Sequence, residues 1–168
     1  YWGLDPADVI TAWVSLTHSN PVSGCMKVMP GTHIGDQIPH NDTYHKDNLL
    51  SRGQEVAVEV DASKAVDLIL KPGEISLHHI KLVHGSEPNT SDDRRIGMAI
   101  RYIPPHVRQL KVTDSAILVR GKDKYRNFEY EQRPKADVDE AALAAHKTSV
   151  ERQVAALYSG TDKKVFRA

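Results

Sequence analysis

Residues 8–16 (DVITAWVSL) are rich in β-branched and aromatic side chains and predict a strand. Thr11, Trp13 and Ser15 then share one face, and Ala12, Val14 and Leu16 the other. THSNPVSG follows as a loop, with Asn-Pro and Ser-Gly as turn signals. A short strand is predicted over 25–29, stopped by Pro30-Gly31. Residues 31–54 are polar and broken by Gly, Pro and Asn, which predicts a long loop bordering a binding site. EVAVEV (55–60) alternates cleanly, and residues 65–70 predict another strand, ended by the turn Lys71-Pro72-Gly73-Glu74. Strands are predicted over 75–80 and 95–103, the latter stopped by Pro104-Pro105.

Beyond Pro105 the pattern changes. Residues 108–119 fit no single period, with a strand near 116–119, and 121–134 are charged and aromatic. Residues 139–158 read as a helix: acidic at the start, alanine-rich, and followed by Gly160 as a C-cap. Leu143, Val150, Val154 and Leu157 form its apolar stripe. Short strands without intervening helices predict a mainly β chain: a sandwich, barrel or jelly roll.

A length of 168 residues suits a sizeable core. Lys plus Arg and Asp plus Glu both number 22, so the net charge is zero, which argues against a generic nucleic-acid or anionic-membrane binder. Cys25 is the only cysteine, so no internal disulfide forms, and a reducing, cytoplasmic compartment fits. No apolar run approaches the ~20 residues of a membrane span. A GxSxG nucleophile elbow and a P-loop are both missing from the sequence. Cys25, in an apolar strand, reads as a small buried residue rather than a nucleophile.

The segment LVHGSEPNTSDDRRIGMAIRY concentrates the chemistry. His84 closes an apolar run, and Arg95 follows eleven residues later at the head of a strand. An imidazole at a strand end presents a rigid nitrogen to a metal. A guanidinium can grip a carboxylate by two parallel hydrogen bonds. Arg95, Gly97, Ala99 and Arg101 share one side of the predicted strand, and the small residues leave room for a ligand. The alternative is a surface arginine paired with Asp92 or Asp93.

Together with YWGL at the start, ITAWVSL, GCMKVMPGTH and LKPGEISLHH, this segment resembles the phytanoyl-CoA dioxygenase family of non-heme iron oxygenases. The resemblance covers residues 1 to about 105. It implies a double-stranded β-helix (a cupin-like jelly roll), an Fe(II) and 2-oxoglutarate-dependent dioxygenase acting with O2, and C–H hydroxylation of a small organic or acyl substrate. His84 matches the family's distal iron ligand, and Arg95 matches the residue that pairs with the distal carboxylate of 2-oxoglutarate. Arg101 is the reserve for that role. Trp13, with Thr11, matches an aromatic beside the co-substrate; a core tryptophan is the alternative.

The resemblance places the family's His-x-Asp pair just before the YW stretch, upstream of Tyr1. The chain is therefore expected to be the C-terminal part of an oxygenase core (1–105) with a C-terminal extension (106–168) packed on the same domain, and to be inactive alone. One histidine does not hold iron(II) tightly without its partners. His33, His78 and His79 are expected to be structural or surface residues, and His40 and His45 to border the substrate mouth. A zinc site from His78, His79 and His84 conflicts with the alternation of a strand, which sends His78 and His79 to opposite faces. Open sheet edges predict a homo-oligomer. A non-catalytic cupin-like module binding a carboxylate at the Arg95 face is the rival reading. The hydroxylase or halogenase character and the substrate's identity stay open at this level.

Overall fold

The computed structural model describes residues 2–45 and 52–162. In chain order its strands are β1 (Leu4–Asp5), β2 (Ile10–Ser15), β3 (Met26–Val28), β4 (His40–Asp42), β5 (Gln54–Val56) and β6 (Val66–Asp67). They continue as β7 (Ile75–His79), β8 (His84–Ser86), β9 (Gly97–Tyr102), β10 (Arg108–Gln109), β11 (Ser115–Ala116) and β12 (Glu129–Tyr130), followed by the helix α1 (Glu140–Leu157). The fold is mainly β with one C-terminal helix. Contacts divide the chain into two compact units, one of Ala7–Asn41 and Glu55–Ile103, the other of Tyr1–Pro6, Asp42–Gln54 and Pro104–Ala168.

The first unit holds two three-stranded antiparallel sheets, ordered β7-β2-β9 and β6-β3-β8. In the first sheet β2 is central and bonded on both sides. Its register sets cross-strand rows: His78–Thr11–Arg101, then Ser76–Trp13–Ala99, with Ser15 opposite Gly97. Residues directly opposite share a face, so these polar and small residues line one side. The other side carries Ile75, Leu77, Met98 and Ile100, and it is open to solvent, with Leu77 71% exposed.

The predicted strands at 8–16, 25–29, 75–80 and 95–103 correspond to β2, β3, β7 and β9, each shorter at its ends. EVAVEV does not form the predicted strand beyond Val56. Ala57 N–H donates to the Pro39 carbonyl at 2.7 Å, but Pro39 has no N–H to return, and the ladder stops. Val58 and Val60 are exposed. Alternation alone makes no strand without a partner. The loop predicted over 31–54 contains a 3-10 turn (Thr32–Ile34), β4 and the first residue of β5, and part of it lies outside the described residues.

In the second unit β1 pairs antiparallel with β10, and β11 parallel with β12. The helix begins where Asp139 accepts a hydrogen bond from Ala142 N–H at 3.0 Å, satisfying one of the unpaired first-turn donors. It ends at Tyr158, and Gly160 adopts φ 82°, the left-handed conformation expected after a helix end. Of the predicted apolar stripe, Val150, Val154 and Leu157 are half-buried, whereas Leu143 is exposed.

Arg52 is the buried cation of this unit. It donates through Nε to Asp42 Oδ2 at 3.0 Å, pairs with the same oxygen through Nη2, and donates through Nη1 to the Leu157 carbonyl at 3.1 Å. Gln54 Nε2 donates to Asp42 Oδ1 at 2.7 Å, and Tyr44 Oη donates to Oδ2 at 3.4 Å. Burial pushes the Asp42 carboxyl up, but these donors outweigh it and hold it below the usual range. A depressed folded-state pKa stabilises above the unfolded value near ~3.9, and that stability is lost as pH falls through the folded value. Arg52→Met is therefore expected to lower the unfolding free energy at pH 7 by about 3 kcal/mol. Urea titrations should show the gap between variant and parent narrowing below about pH 4; a gap that persists unchanged there would rule out the ion pair as its cause.

Candidate functional site

His84 opens β8, opposite Val28 of β3. Three bonds set its position. Met29 N–H donates to the Val83 carbonyl at 2.9 Å, and Val83 N–H donates to Thr32 Oγ1 at 2.9 Å. Thr32 in turn donates to the Met29 carbonyl at 2.8 Å, so the Pro30–His33 turn pins the residue before His84. The imidazole Nδ1 lies 2.7 Å from the Leu82 carbonyl. A carbonyl only accepts, so Nδ1 carries a proton, and in the neutral ring Nε2 is then the lone-pair nitrogen, the arrangement typical of a metal-binding imidazole. The residue is exposed.

The inner face of β7-β2-β9 meets His84 at His78, whose ring centroid lies 5.9 Å from that of His84. Sequence reasoning set His78 aside as structural. The signal that could have found it was the alternation that separates it from His79: His78 falls on the face of Thr11, Trp13 and Arg101. Burial pushes the His78 imidazole below its ordinary pKa, and the His84 and Arg101 charges push it the same way. Its Nδ1 is buried without a hydrogen-bond partner, as is Ser76 Oγ two residues earlier. His79 points the other way, 6.2 Å from the His33 ring and 4.0 Å from Asp8 Oδ1.

Arg95 precedes β9 by two residues rather than heading it. Ile96 carries the pairing at this point: its N–H donates to Thr17 Oγ1 at 2.9 Å, and its carbonyl accepts from Leu16 N–H at 2.9 Å. The Arg95 guanidinium lies over the Trp13 ring, 5.5 Å from its centroid, a contact worth about 0.5–1 kcal/mol when partly exposed. The ring itself lies against Gly97. A Cβ at Gly97 would overlap Trp13 Cζ2 and Cε2 and stand 2.8 Å from Nε1. Trp13 is half-buried, between the core tryptophan and the ligand-facing one that its sequence allows. Thr11 is 8% exposed, while Ala99 and Arg101 are exposed, so this face opens along β9. Among the described residues Arg95 forms no ion pair with Asp92 or Asp93; Asp93 instead accepts from Arg94 N–H at 2.7 Å.

Cys25 is buried, and burial pushes its thiol above the ordinary value, with Asp67 adding to the shift. That is an inert thiol. A concavity of about 460 Å³ lined by Leu16, Thr17, His18, Asp93 and Arg94 touches none of His84, Arg95, Trp13 or Arg101.

His78, Thr11, Trp13 and Arg101 share one face of β7-β2-β9, and the His84 ring approaches it from β8. A facial iron site needs two imidazoles and a carboxylate, and among the described residues no three of His, Cys, Asp and Glu gather where they could hold a metal. Besides the pair that the resemblance places upstream of Tyr1, two His-x-Asp triplets occur in the sequence, His40-Asn41-Asp42 and His45-Lys46-Asp47. The Asp42 carboxylate is committed to Arg52, Gln54 and Tyr44, which removes it as a ligand. His40 and His45 are exposed, and Asp47 lies outside the described residues. The described residues do not by themselves assemble an iron centre.

The model of the phytanoyl-CoA dioxygenase (PhyH) family matches residues 1–97. Human peroxisomal phytanoyl-CoA dioxygenase is 26% identical over 103 residues, covering 61% of this chain and 30% of that protein. Among solved structures, the non-heme monooxygenase ThoJ in its apo form superposes with a TM-score of 0.79 at 38% identity, over 91% of this chain and 55% of that one. CytC3 with Fe(II) and alpha-ketoglutarate gives a TM-score of 0.52 at 25% identity, over 74% and 44%. The fold is thus cupin-like, and the chain spans about a third of the curated relative and about half of the first solved structure.

Gly97→Ala is expected to expel the Trp13 ring or strain β9, at a cost of about 1–3 kcal/mol. A double-mutant cycle with Trp13→Ala, read by urea unfolding, should recover most of that cost. Simple additivity would show that the two positions do not compete for space.

Proposed function

Because the chain belongs to the phytanoyl-CoA dioxygenase family, we propose that it forms part of an Fe(II)/2-oxoglutarate-dependent dioxygenase with a jelly-roll core, hydroxylating a C–H bond of a small organic or acyl substrate with O2. His84 is the metal ligand contributed by this chain, with Nε2 turned outward by the Leu82 carbonyl. Arg95 anchors the distal carboxylate of 2-oxoglutarate, with Trp13 and Thr11 beside it and Arg101 as the second cation of the face. The observation that carries this reading is the meeting of the His84 ring with the inner face of the Trp13 sheet, through His78.

The protein's work in this reading is to bind, orient and exclude water. Arg95 supplies a planar two-donor contact. Trp13 supports the guanidinium from below, and Gly97 and Ala99 leave the surface beside it clear. When bound, iron supplies the oxygen chemistry; the residues that complete its coordination are not among those described here. The stretch 1–105 serves as the core and 106–168 as a C-terminal extension. None of the helices among the described residues is long and apolar enough to cross a membrane. With one buried cysteine, the reading places the protein in the cytoplasm, although the human relative is named peroxisomal; cell fractionation tests this. The exposed Ile75, Leu77 and Met98 favour a homo-oligomer, and a monomer mass by light scattering at micromolar concentration would remove that part.

The rival reading keeps the carboxylate site without redox chemistry, as a binding module. Elemental analysis separates the two. The 168-residue chain is expected to carry well under one iron, and about one tightly held iron per chain would require a donor set not yet identified. For the anchor, Arg95→Leu is expected to weaken 2-oxoglutarate binding by at least about 30-fold, followed by ligand-observed NMR. Equal affinity in the variant would remove Arg95 from the role.

A further inference from the structure

In the second unit a long loop, residues 117–128, joins β11 to β12 and holds no strand or helix of its own. Such loops are uncommon in compact domains and are usually functional when they are ordered. This one is tied down by its own polar groups. Asn127 Nδ2 lies 3.2, 3.3 and 3.1 Å from the Pro105, His106 and Val107 carbonyls. The Asp123 carboxylate accepts from Tyr125 N–H at 2.8 Å, Arg126 N–H at 3.0 Å and Tyr130 Oη at 3.2 Å. What the loop leaves outside is of two kinds. Ile117, Leu118 and Val119 are consecutive and exposed, Val119 by 69%. Arg120, Lys122, Lys124 and Arg126 come directly after them and are exposed, as is Tyr125. None of these four cations forms an ion pair among the described residues. Asp123 is the only carboxylate of the loop, and its oxygens are engaged within the loop and by Tyr130, although Arg126 feels its charge.

We propose that the loop 117–128 docks the protein on an anionic lipid surface. Ile117, Leu118 and Val119 enter the boundary between headgroups and acyl chains, and the four cations meet the lipid phosphates and carboxylates. An aliphatic run beside a cluster of Lys and Arg is the chemistry of peripheral membrane attachment. Tyr125 adds an aromatic ring of the kind that settles at such interfaces. A protein partner is disfavoured because lysine is depleted from protein interfaces, and a nucleic acid has no use for three adjoining aliphatic side chains. The zero net charge of the whole chain argues against general adhesion to anionic membranes, but here the cations are concentrated in one loop. The inference stands apart from the oxygenase reading, since it uses none of the residues given to iron or 2-oxoglutarate.

The test is sedimentation of the 168-residue chain with vesicles of phosphatidylcholine alone or of equal parts phosphatidylcholine and phosphatidylserine. The parent is expected to bind the mixed vesicles, to bind phosphatidylcholine much more weakly, and to be released at high salt. Each cation is expected to contribute about fivefold, so Lys122→Gln with Lys124→Gln should weaken binding by about 25-fold. Ile117→Ser with Val119→Ser, which leaves every charge in place, should weaken it by about tenfold. Lys71→Gln, at an exposed turn of the first unit, should leave it unchanged. Four results overturn the proposal: the parent ignores the mixed vesicles, it binds both vesicles equally, the serine pair has no effect, or Lys71→Gln weakens binding as much as the glutamine pair. Binding to a single-stranded oligonucleotide with none to the mixed vesicles also overturns it, and gives the loop to nucleic acid instead.

Discussion

The register of β2 against both of its neighbours is the constraint on which the rest of the first unit depends. Ala12 sits opposite Leu77 and Ile100, while Trp13 sits opposite Ser76 and Ala99. A slip of one residue in either pairing would exchange the two faces of the sheet. His78 would leave the neighbourhood of His84, and Trp13 would lose the clearing that Gly97 makes for it. Because β2 is bonded on both sides, a slip of β2 itself breaks two ladders at once. Polar recognition is therefore tied to backbone pairing, and that lets exposed loops vary around it.

His84 depends on a second set of bonds, in the other sheet. Its neighbour Val83 is held by Met29 and by the hydroxyl of Thr32, and its own ring by the Leu82 carbonyl. The Pro30–His33 turn thus acts through a hydroxyl, while the histidine inside it stays exposed. The second unit has a different polar centre. There Asp42 takes hydrogen bonds from Arg52, Gln54 and Tyr44, a structural use of a carboxylate that the sequence presents in a metal-like triplet.

Much of this was legible from alternation. It separated Thr11, Trp13 and Ser15 from their neighbours, put Arg95, Gly97, Ala99 and Arg101 on one side, and sent His78 and His79 apart. Motif order identified the family. What stayed hidden depended on contacts between segments far apart in the chain. Nothing local says that His78 meets His84, because the two lie on strands of different sheets. The lean of Arg95 onto Trp13 is set by a glycine two residues on. EVAVEV misled because alternation reports a possible strand, and its partner ran out at Pro39. The His-x-Asp triplet at His40 looks like a metal motif in the sequence, and only the Arg52 pairing decides what Asp42 does.

The contact between Trp13 and Gly97 also bears on how such a chain can diverge. A tryptophan at position 13 leaves no room for a Cβ at position 97, so Gly97 is not free to drift alone. A lineage that replaced Gly97 would first need a smaller residue at position 13, and would then lose the platform beneath Arg95. Two positions far apart in the chain are thus coupled by space: the order in which they can change is set by the room the tryptophan takes.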